Sequence, residues 1–299
     1  MTLKIAIIGN NGQLAWDLRN QLSSLGSVVT FHRHSTDNYI DLSNLTTIKT
    51  ALENFLPNII INASAYTAVD KAEEEKELAK KINADAPYVL SELSNSLNAL
   101  LIHYSTDYVF NGESSSPYTE LAKPDPLNVY GQTKLDGDLA VLSTAKNHFV
   151  FRTSWVYTNR ANNFMLTMLK LAKQRDELNI INDQVGSPTW SRVIAETTAN
   201  VIRSRYVLKE ELEGGLYNLS SQGETSWYGF AKKIFEYAGI CGDINVNPIA
   251  TANYPTPAKR PKYTVLSKDK IESALSIKIP HWEESLKLCM SEYLRESSC

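Results

Sequence analysis

The chain has 299 residues, 30 basic against 33 acidic, for a net charge of −3. That length admits one large domain or two unequal ones, and the faint acidity gives no electrostatic reason to expect nucleic acid or an anionic membrane as partner. Three cysteines, Cys241, Cys289 and Cys299, lack CxxC spacing; neither a disulfide framework nor a zinc site is expected, and free thiols in the cytoplasm are.

The opening MTLKIAIIGNNGQ carries too short an apolar run for a signal peptide and reads as a strand. No later stretch approaches the roughly 20 apolar residues of a membrane helix. Lys4–Ile8 is a strand ending at Gly9, and Asn11–Leu25 has helical spacing. Ser27–Phe31 is a second strand, Leu45–Phe55 a helix and Asn58–Asn62 a third strand. A charged helix is expected near Lys71–Ala84, another near Pro87–Leu97, a strand at Ala99–Tyr104, a helix at Tyr130–Ser143 and a strand at His148–Arg152. The strands are continuously apolar rather than alternating, which implies burial on both faces. Strand–helix alternation implies parallel pairing with right-handed crossovers. The expected fold is therefore α/β, a doubly wound, Rossmann-type parallel sheet.

Beyond residue 155 the rhythm loosens. Helices are expected at Asn163–Gln174, Ser191–Ser204, Trp227–Ala238 and Glu283–Leu294, with short strands at Asn179–Ile181 and Leu216–Leu219. The proline-rich Asn253–Lys262 must be largely extended. Residues 1–154 are expected to form a dinucleotide-binding domain, helped by segments from the C-terminal half. Residues 155–299 should form mainly a smaller substrate-binding lobe, with a cleft between the two.

The first strand runs into Gly9-Asn10-Asn11-Gly12-Gln13-Leu14-Ala15, a GxxGxxA loop before a helix. The glycines allow a tight turn and close approach of backbone N–H groups to a pyrophosphate, while Ala15 lets the helix sit on the strand. At the end of the second strand His32 and Arg33 stand where NAD sites usually carry an acid. That suits a 2′-phosphate and hence NADPH, with NADH as the alternative. Asp41 could accept from an adenine amino group and Leu42 could pack on the ring; Asp41 could equally cap the following helix.

Tyr130-Gly131-Gln132-Thr133-Lys134 is YxxxK, whose ends share one helix face. Free tyrosine titrates near 10, too high for easy proton exchange at neutrality, and a neighbouring ammonium lowers that value. Ser105 or Thr106, at the C-terminal end of the fourth strand, could hydrogen-bond a substrate oxygen.

These motifs resemble the extended short-chain dehydrogenases, and more closely the dTDP-4-dehydrorhamnose reductase family. The resembling stretches are GNNGQLA, NASAYTAVDKAE, HYSTDYVFNG, PLNVYGQTK, RTSWVY, DQVGSPTW and KRPKYTVLS, spread over nearly the whole chain. The resemblance implies reduction of the C4 keto group of a dTDP-linked sugar. It makes Tyr130 the proton donor, Lys134 its partner on the cofactor ribose, and Thr106 the group on the substrate carbonyl with Asp107 beside it. Gly12, Gln13 and Leu14 would line the pyrophosphate, and Ala65, Tyr66 and Thr67 would border the adenosine and ribose. Trp155 would pack on the sugar and Arg260 would meet the nucleotide diphosphate. A homodimer with Mg2+ held by acidic residues at the dimer contact is also implied. Asp17 is the one candidate ligand, so the metal set stays unassigned. Two rival readings remain: a sugar-nucleotide epimerase or dehydratase with tightly held NAD, and a non-catalytic binding module similar to the methionine adenosyltransferase regulatory subunit.

Overall fold

The structure, a computed structural model, describes residues 2–242 and 244–297; Cys299 lies outside them. Strands β1 (Leu3–Ile8), β2 (Gly26–Phe31), β3 (Ile59–Asn62), β4 (Leu100–Thr106) and β5 (His148–Thr153) build the sheet, joined by a strand at Gly215–Asn218. All six are parallel, in the order β2-β1-β3-β4-β5 followed by Gly215–Asn218. The expected doubly wound fold is what forms, and the C-terminal half returns a strand to the sheet. Ile59, Ile60 and Ile61 are all fully buried, as continuously apolar parallel strands should be. One face packs Ile5, Ile7 and Ile61 in a cluster with Leu18 and Ile194; the other packs Ala6, Ile8 and Ile60 with Leu52 and Leu90.

The helices of the first half are α1 (Gln13–Leu22), α2 (Leu45–Phe55), α3 (Val69–Ala72), α4 (Lys76–Lys80), α5 (Ala86–Ser96) and α6 (Val129–Thr144). The chain leaves β1 toward β2 on one side and β3 on the other, so the strand order reverses between β1 and β3. Ligands of open α/β sheets bind at the carboxyl ends of the strands at such a reversal.

The two helices expected at 71–84 and 87–97 are divided differently. The short α3 stands apart, whereas α4 runs through a single π turn, Lys81–Asp85, directly into α5. Pro87 explains the widening: it has no N–H for the Asn83 carbonyl, and its ring crowds that carbonyl in a regular helix. The Asn83 carbonyl packs instead against Gly137 of α6, where a Cβ would stand 2.1 Å away. The Asn83 side chain accepts from Tyr66 N at 2.8 Å and donates to Tyr66 O at 3.1 Å and Thr133 Oγ1 at 3.2 Å. It thereby fastens the loop after β3 to α6.

The remaining helices are α7 (Phe164–Ala172), α8 (Ser191–Ile202), α9 (Trp227–Tyr237), α10 (Asp269–Leu275) and α11 (Trp282–Ser297). Sequence reasoning missed α10 and the strand Asn245–Ile249, which pairs parallel with Glu177–Ile181. That strand contains Pro248 and two asparagines, residues tolerated in strands mainly at an edge. Among the described residues no helix is long and apolar enough to cross a membrane, and Cys241 and Cys289 are free thiols.

Candidate active site

Two clefts flank the C-terminal ends of the strands. The first, about 730 Å³, is lined by Gly9, Gly12, His32, Arg33, Asp41, Leu42, Ala65, Tyr66 and Thr67 among others. It gathers nine residues expected at the cofactor from four separate loops. Gly9 has φ +126°, and a Cβ there would meet the Ser64 hydroxyl at 3.0 Å and the Ala15 Cβ at 3.2 Å. Glycine at position 9 and a small residue at 15 are thus demanded by the fold itself. Gly12 differs: its φ is −67° and nothing lies within 4 Å of the place its Cβ would take. The protein does not need glycine there, so the open space above it is left for whatever enters the cleft. Gly12 also caps α1, whose free N–H groups offer an anion site. Gln13 and Leu14 begin α1; Leu14 packs partly against the core.

At the far end of this cleft Arg33 is exposed and its Nε donates to His34 Nε2 at 3.2 Å. Asn10 Nδ2 stands 3.2 Å from His32 Nε2, tying the phosphate loop to the end of β2. Asp41 is occupied locally: its Oδ1 accepts from Ser43 N at 2.9 Å and from the Ser43 hydroxyl at 2.7 Å. The helix cap falls on Asn44, not on Asp41. The Tyr66 hydroxyl donates to Glu75 Oε2 at 2.7 Å, and that bond pushes the phenol up to about 12.

The proposed chemistry-bearing groups converge where β4 meets α6. Asn128 caps α6 through its Oδ1, which accepts from Gly131 N at 2.7 Å, and Glu73 Oε1 accepts from Val129 N at 2.9 Å. A Cβ on Gly131 would lie 2.2 Å from the Tyr108 carbonyl. This glycine inside YGQTK therefore allows the first turn of α6 to touch the turn after β4. Tyr130 consequently sits, partly buried, within hydrogen-bonding reach of Thr106. Burial pushes its phenol up to about 12; the Thr106 side chain works against that rise and the Asp107 carboxylate adds to it.

Thr106 Oγ1 donates to Asp107 Oδ1 at 3.1 Å and accepts from Tyr108 N at 3.2 Å, and the Ser154 hydroxyl donates to Asp107 Oδ2 at 2.7 Å. Asp107 is buried, which lifts its carboxyl to about 6 despite these donors. One helical turn beyond Tyr130, the buried Lys134 ammonium donates to the Tyr104 carbonyl at 2.6 Å. Burial lowers it to about 8, and the Asp138 carboxylate opposes that fall. Asp138 forms a buried ion pair with Arg152 of β5, Nε to Oδ2 3.1 Å.

The second cleft, about 880 Å³, is lined by residues including Asp70, Tyr108, Phe164, Gln184, Trp227, Tyr254 and Arg260. The Tyr108 ring meets the Tyr130 ring edge-on at 5.9 Å, so the phenol of residue 130 lies next to this cleft. Arg260 is inside it but not free, being held by Asp70. Trp155 is stacked on Trp227 at 3.5 Å and also lies close to Gly186, where a Cβ would come within 2.6 Å of the indole. Its backbone stands at φ +44°. Trp227, which faces the cleft, was read in the sequence only as the start of a helix.

The family model for the RmlD substrate binding domain matches residues 3–295. The dTDP-4-dehydrorhamnose reductase of Escherichia coli K12 is 42% identical over 294 residues, covering 97% of this chain and 98% of that one. The chain belongs to the dTDP-4-dehydrorhamnose reductase family. A Bacillus anthracis member crystallised with NADP superposes with a TM-score of 0.90 at 34% identity, covering 98% of this chain and all of that one. The Thermus thermophilus UDP-glucose 4-epimerase with NAD has a TM-score of 0.80 at 18% identity, covering 97% and 98% of the two chains, a likeness of fold alone. As a member of this family the chain is an oxidoreductase that uses a nicotinamide cofactor, and the first cleft has the open glycine and helix terminus to hold one.

A magnesium site is not supported in this reductase. Among the described residues no group of three or more His, Cys, Asp or Glu side chains is placed to hold a metal. Asp17 is buried, which raises its carboxyl, and its Oδ2 accepts from the Ser191 hydroxyl at 2.5 Å. The Arg192 guanidinium nearby is itself paired with Glu292.

Proposed function

We propose that the chain reduces the C4 keto group of dTDP-4-dehydro-L-rhamnose to give dTDP-L-rhamnose, with NADPH preferred and NADH the alternative donor. The observation that carries this reading is Tyr130, held beside Thr106 and against Tyr108 of the second cleft, with Lys134 one turn along the same helix face. Residues 1–154 would carry the cofactor and residues 155–299 mainly the sugar nucleotide. In support, the first cleft draws on positions 8–82 and the second chiefly on positions 164–260. A cytoplasmic setting fits the two free thiols.

A bound nicotinamide would supply the hydride to C4. The chain's own work is to hold the cofactor and deliver a proton to the oxygen. Gly12 and the α1 N-terminus would receive the pyrophosphate, and Ala65, Tyr66 and Thr67 would border the adenosine and ribose. Asp41 and Leu42 would flank the adenine, and Arg33 with His32 would meet a 2′-phosphate, the basis for preferring NADPH.

Tyr130 would give its hydroxyl proton to the carbonyl oxygen as charge develops there. Thr106 would turn its own hydrogen from Asp107 to that oxygen, while Ser154 keeps Asp107 partly satisfied. Preorganised donors aimed at developing charge are where such a site gains most. The buried ammonium of Lys134 would steady the phenolate that Tyr130 becomes and contact the nicotinamide ribose. Trp155 and Trp227 would wall the sugar, and Arg260 would face the diphosphate.

Turnover with the keto-sugar nucleotide, followed by NADPH absorbance, tests the reading. Tyr130→Phe should cut turnover about 10²- to 10⁴-fold and keep cofactor affinity. A folded protein that oxidises neither NADPH nor NADH with this substrate would overturn it.

A further inference from the structure

Gln184 follows the strand Glu177–Ile181 and lines the second cleft, yet only 3% of its surface is exposed. Its amide is anchored at the nitrogen. Gln184 Nε2 donates to Thr251 Oγ1 at 3.1 Å. The Thr251 hydroxyl donates in turn to Asp183 Oδ1 at 2.6 Å, and Thr251 N donates to the same oxygen at 2.7 Å. Burial works to raise the Asp183 carboxyl, but the bonds from Thr251 outweigh it and hold the group below its ordinary range, so it is ionised at neutrality. The Gln184 carbonyl oxygen, by contrast, accepts from no group among the described residues. It is not one of the partnerless atoms closed off from solvent, so it faces the cleft that Gln184 lines. No residue of this turn was given a role from the sequence.

We infer that Gln184 is a specificity-determining residue whose carbonyl oxygen accepts a hydrogen bond from a hydroxyl group of the substrate's hexose. The hydrogen inventory leaves one orientation for the amide. An ionised carboxylate only accepts, so the single hydroxyl hydrogen of Thr251 is committed to Asp183, and a lone pair of that hydroxyl is what Gln184 meets. The amide must turn an N–H toward Thr251, and its oxygen is the atom left for the cleft. An amide oxygen on a mostly buried side chain is costly without a donor, and a ligand O–H removes that cost. An acceptor fixed in this way also discriminates: it favours a hydroxyl and disfavours a hydrogen or an ether oxygen at the same place.

The neighbours of Gln184 indicate which part of the substrate it meets. Val185 N donates to the Lys262 carbonyl at 2.7 Å and the Val185 carbonyl accepts from Thr264 N at 2.9 Å, which fastens this turn to the segment carrying Arg260. On the other side, Gly186 lies against the Trp155 indole, and Trp155 stacks on Trp227 of the cleft. Gln184 is therefore placed between the guanidinium proposed for the diphosphate and the aromatic pair proposed for the sugar, where the hexose hydroxyls nearest the diphosphate would lie.

This inference rests on the second cleft being the sugar-nucleotide site, and the test separates the two. A parent chain that neither turns over the keto-sugar nucleotide nor binds dTDP sinks that reading. In an active parent, kcat and KM for the keto-sugar nucleotide are compared with the Kd for dTDP, which has the base and diphosphate but no hexose. Gln184→Met should raise KM about five- to tenfold, the worth of one neutral hydrogen bond, with kcat within about threefold and the dTDP Kd within about twofold. Thr251→Val keeps the shape but removes the anchoring hydroxyl, so the amide can turn; KM should rise about threefold. The double variant should be no worse than Gln184→Met alone, because Thr251 acts through the amide. Of two keto-sugar nucleotides lacking the C2 or the C3 hydroxyl, the parent should disfavour one by the same five- to tenfold, and Gln184→Met should use that one as well as the full substrate. An unchanged KM in folded Gln184→Met, losses that add in the double variant, dTDP weakened in parallel with the full substrate, or a parent indifferent to both missing hydroxyls overturns the assignment.

Discussion

Asp70 grips Arg260 through two parallel hydrogen bonds, Nη1 to Oδ1 at 2.7 Å and Nη2 to Oδ2 at 2.8 Å. The pair joins the short α3, beside the cofactor cleft, to the proline-rich segment near the C-terminus, and Ala258 N adds a third bond to Asp70 at 3.1 Å. The guanidinium holds the Asp70 carboxyl below its usual range. A carboxylate depressed in this way stabilises the fold above its unfolded pKa, and that contribution is lost only as pH falls through the folded value. The clamp is therefore constant from pH 6 to 8. Arg260→Lys replaces a planar fork by a point charge and cannot fill both contacts. It should raise KM for the sugar nucleotide about tenfold, or about 1.4 kcal/mol, and leave KM for NADPH alone. Steady-state kinetics with each substrate varied in turn checks this; equal KM values in variant and parent would remove Arg260 from the substrate site.

The two glycines of the phosphate loop should respond oppositely to the same substitution. Gly9→Ala forces a side chain into φ +126° and against Ser64 and Ala15. It should cost about 1–2 kcal/mol or more, a fall of several degrees in Tm. Gly12→Ala meets no protein atom within 4 Å and should leave Tm unchanged while weakening NADPH binding at least tenfold. Thermal unfolding and fluorescence titration of NADPH decide the pair. Normal NADPH affinity in Gly12→Ala would mean the pyrophosphate lies elsewhere.

Asp107 carries a stability cost with a defined pH window. Its folded pKa is raised to about 6 from 3.8 by burial, so the folded state holds its proton more tightly than the unfolded state. Stability is greatest below the unfolded value and is lost as pH rises through about 6, by about 3 kcal/mol in total. Asp107→Asn keeps the size and an acceptor for the Thr106 hydroxyl without the charge. Its Tm should exceed that of the parent above pH 6 and converge on it below pH 4, while turnover falls because Thr106 and Tyr130 lose the carboxylate that organises them. A Tm difference independent of pH would contradict this account.

Most of the first half was legible because its signals are local. The apolar runs of β1, β3 and β4 needed burial on both faces, the GxxGxxA loop followed a strand, and Tyr130 and Lys134 shared a helix face. What stayed hidden depended on contacts across the chain. Pro87 costs the helix an N–H, but whether α4 and α5 then break apart or join through a π turn could not be read locally, because the Asn83 carbonyl it frees is packed by Gly137, more than fifty positions on. The clamp on Arg260 comes from a residue 190 positions away. His103 was expected as a hydrogen-bonded core residue and is one, but its neighbours Asn62 and Lys134, 41 and 31 positions off, could not be named from the sequence. Trp227 showed helical spacing and no sign that its ring would face a cleft.

The last prediction concerns Trp227, which lines the second cleft, and Trp155, which does not line it but stacks on Trp227. Trp155 touches both Gly186 and the ring of Trp227, on which it is stacked at 3.5 Å and 4°. It holds φ +44°, a conformation that costs a bulky residue of order 1–3 kcal/mol and persists only where the surroundings enforce it. Three parts of the chain meet there: the end of β5, the 183–188 turn and the start of α9. Gly186→Ala places a methyl group where the indole lies and must push Trp155 toward the cleft or away from Trp227. Because Tyr130 and Thr106 are untouched, the damage should fall on substrate binding, with KM for the sugar nucleotide rising about tenfold and kcat changing by less than threefold. Trp227→Ala, which leaves Gly186 in place but removes the stacking partner, should shift KM in the same direction and also quench less of the Trp155 fluorescence on substrate addition. A loss confined to kcat in both variants would place the sugar away from this aromatic pair.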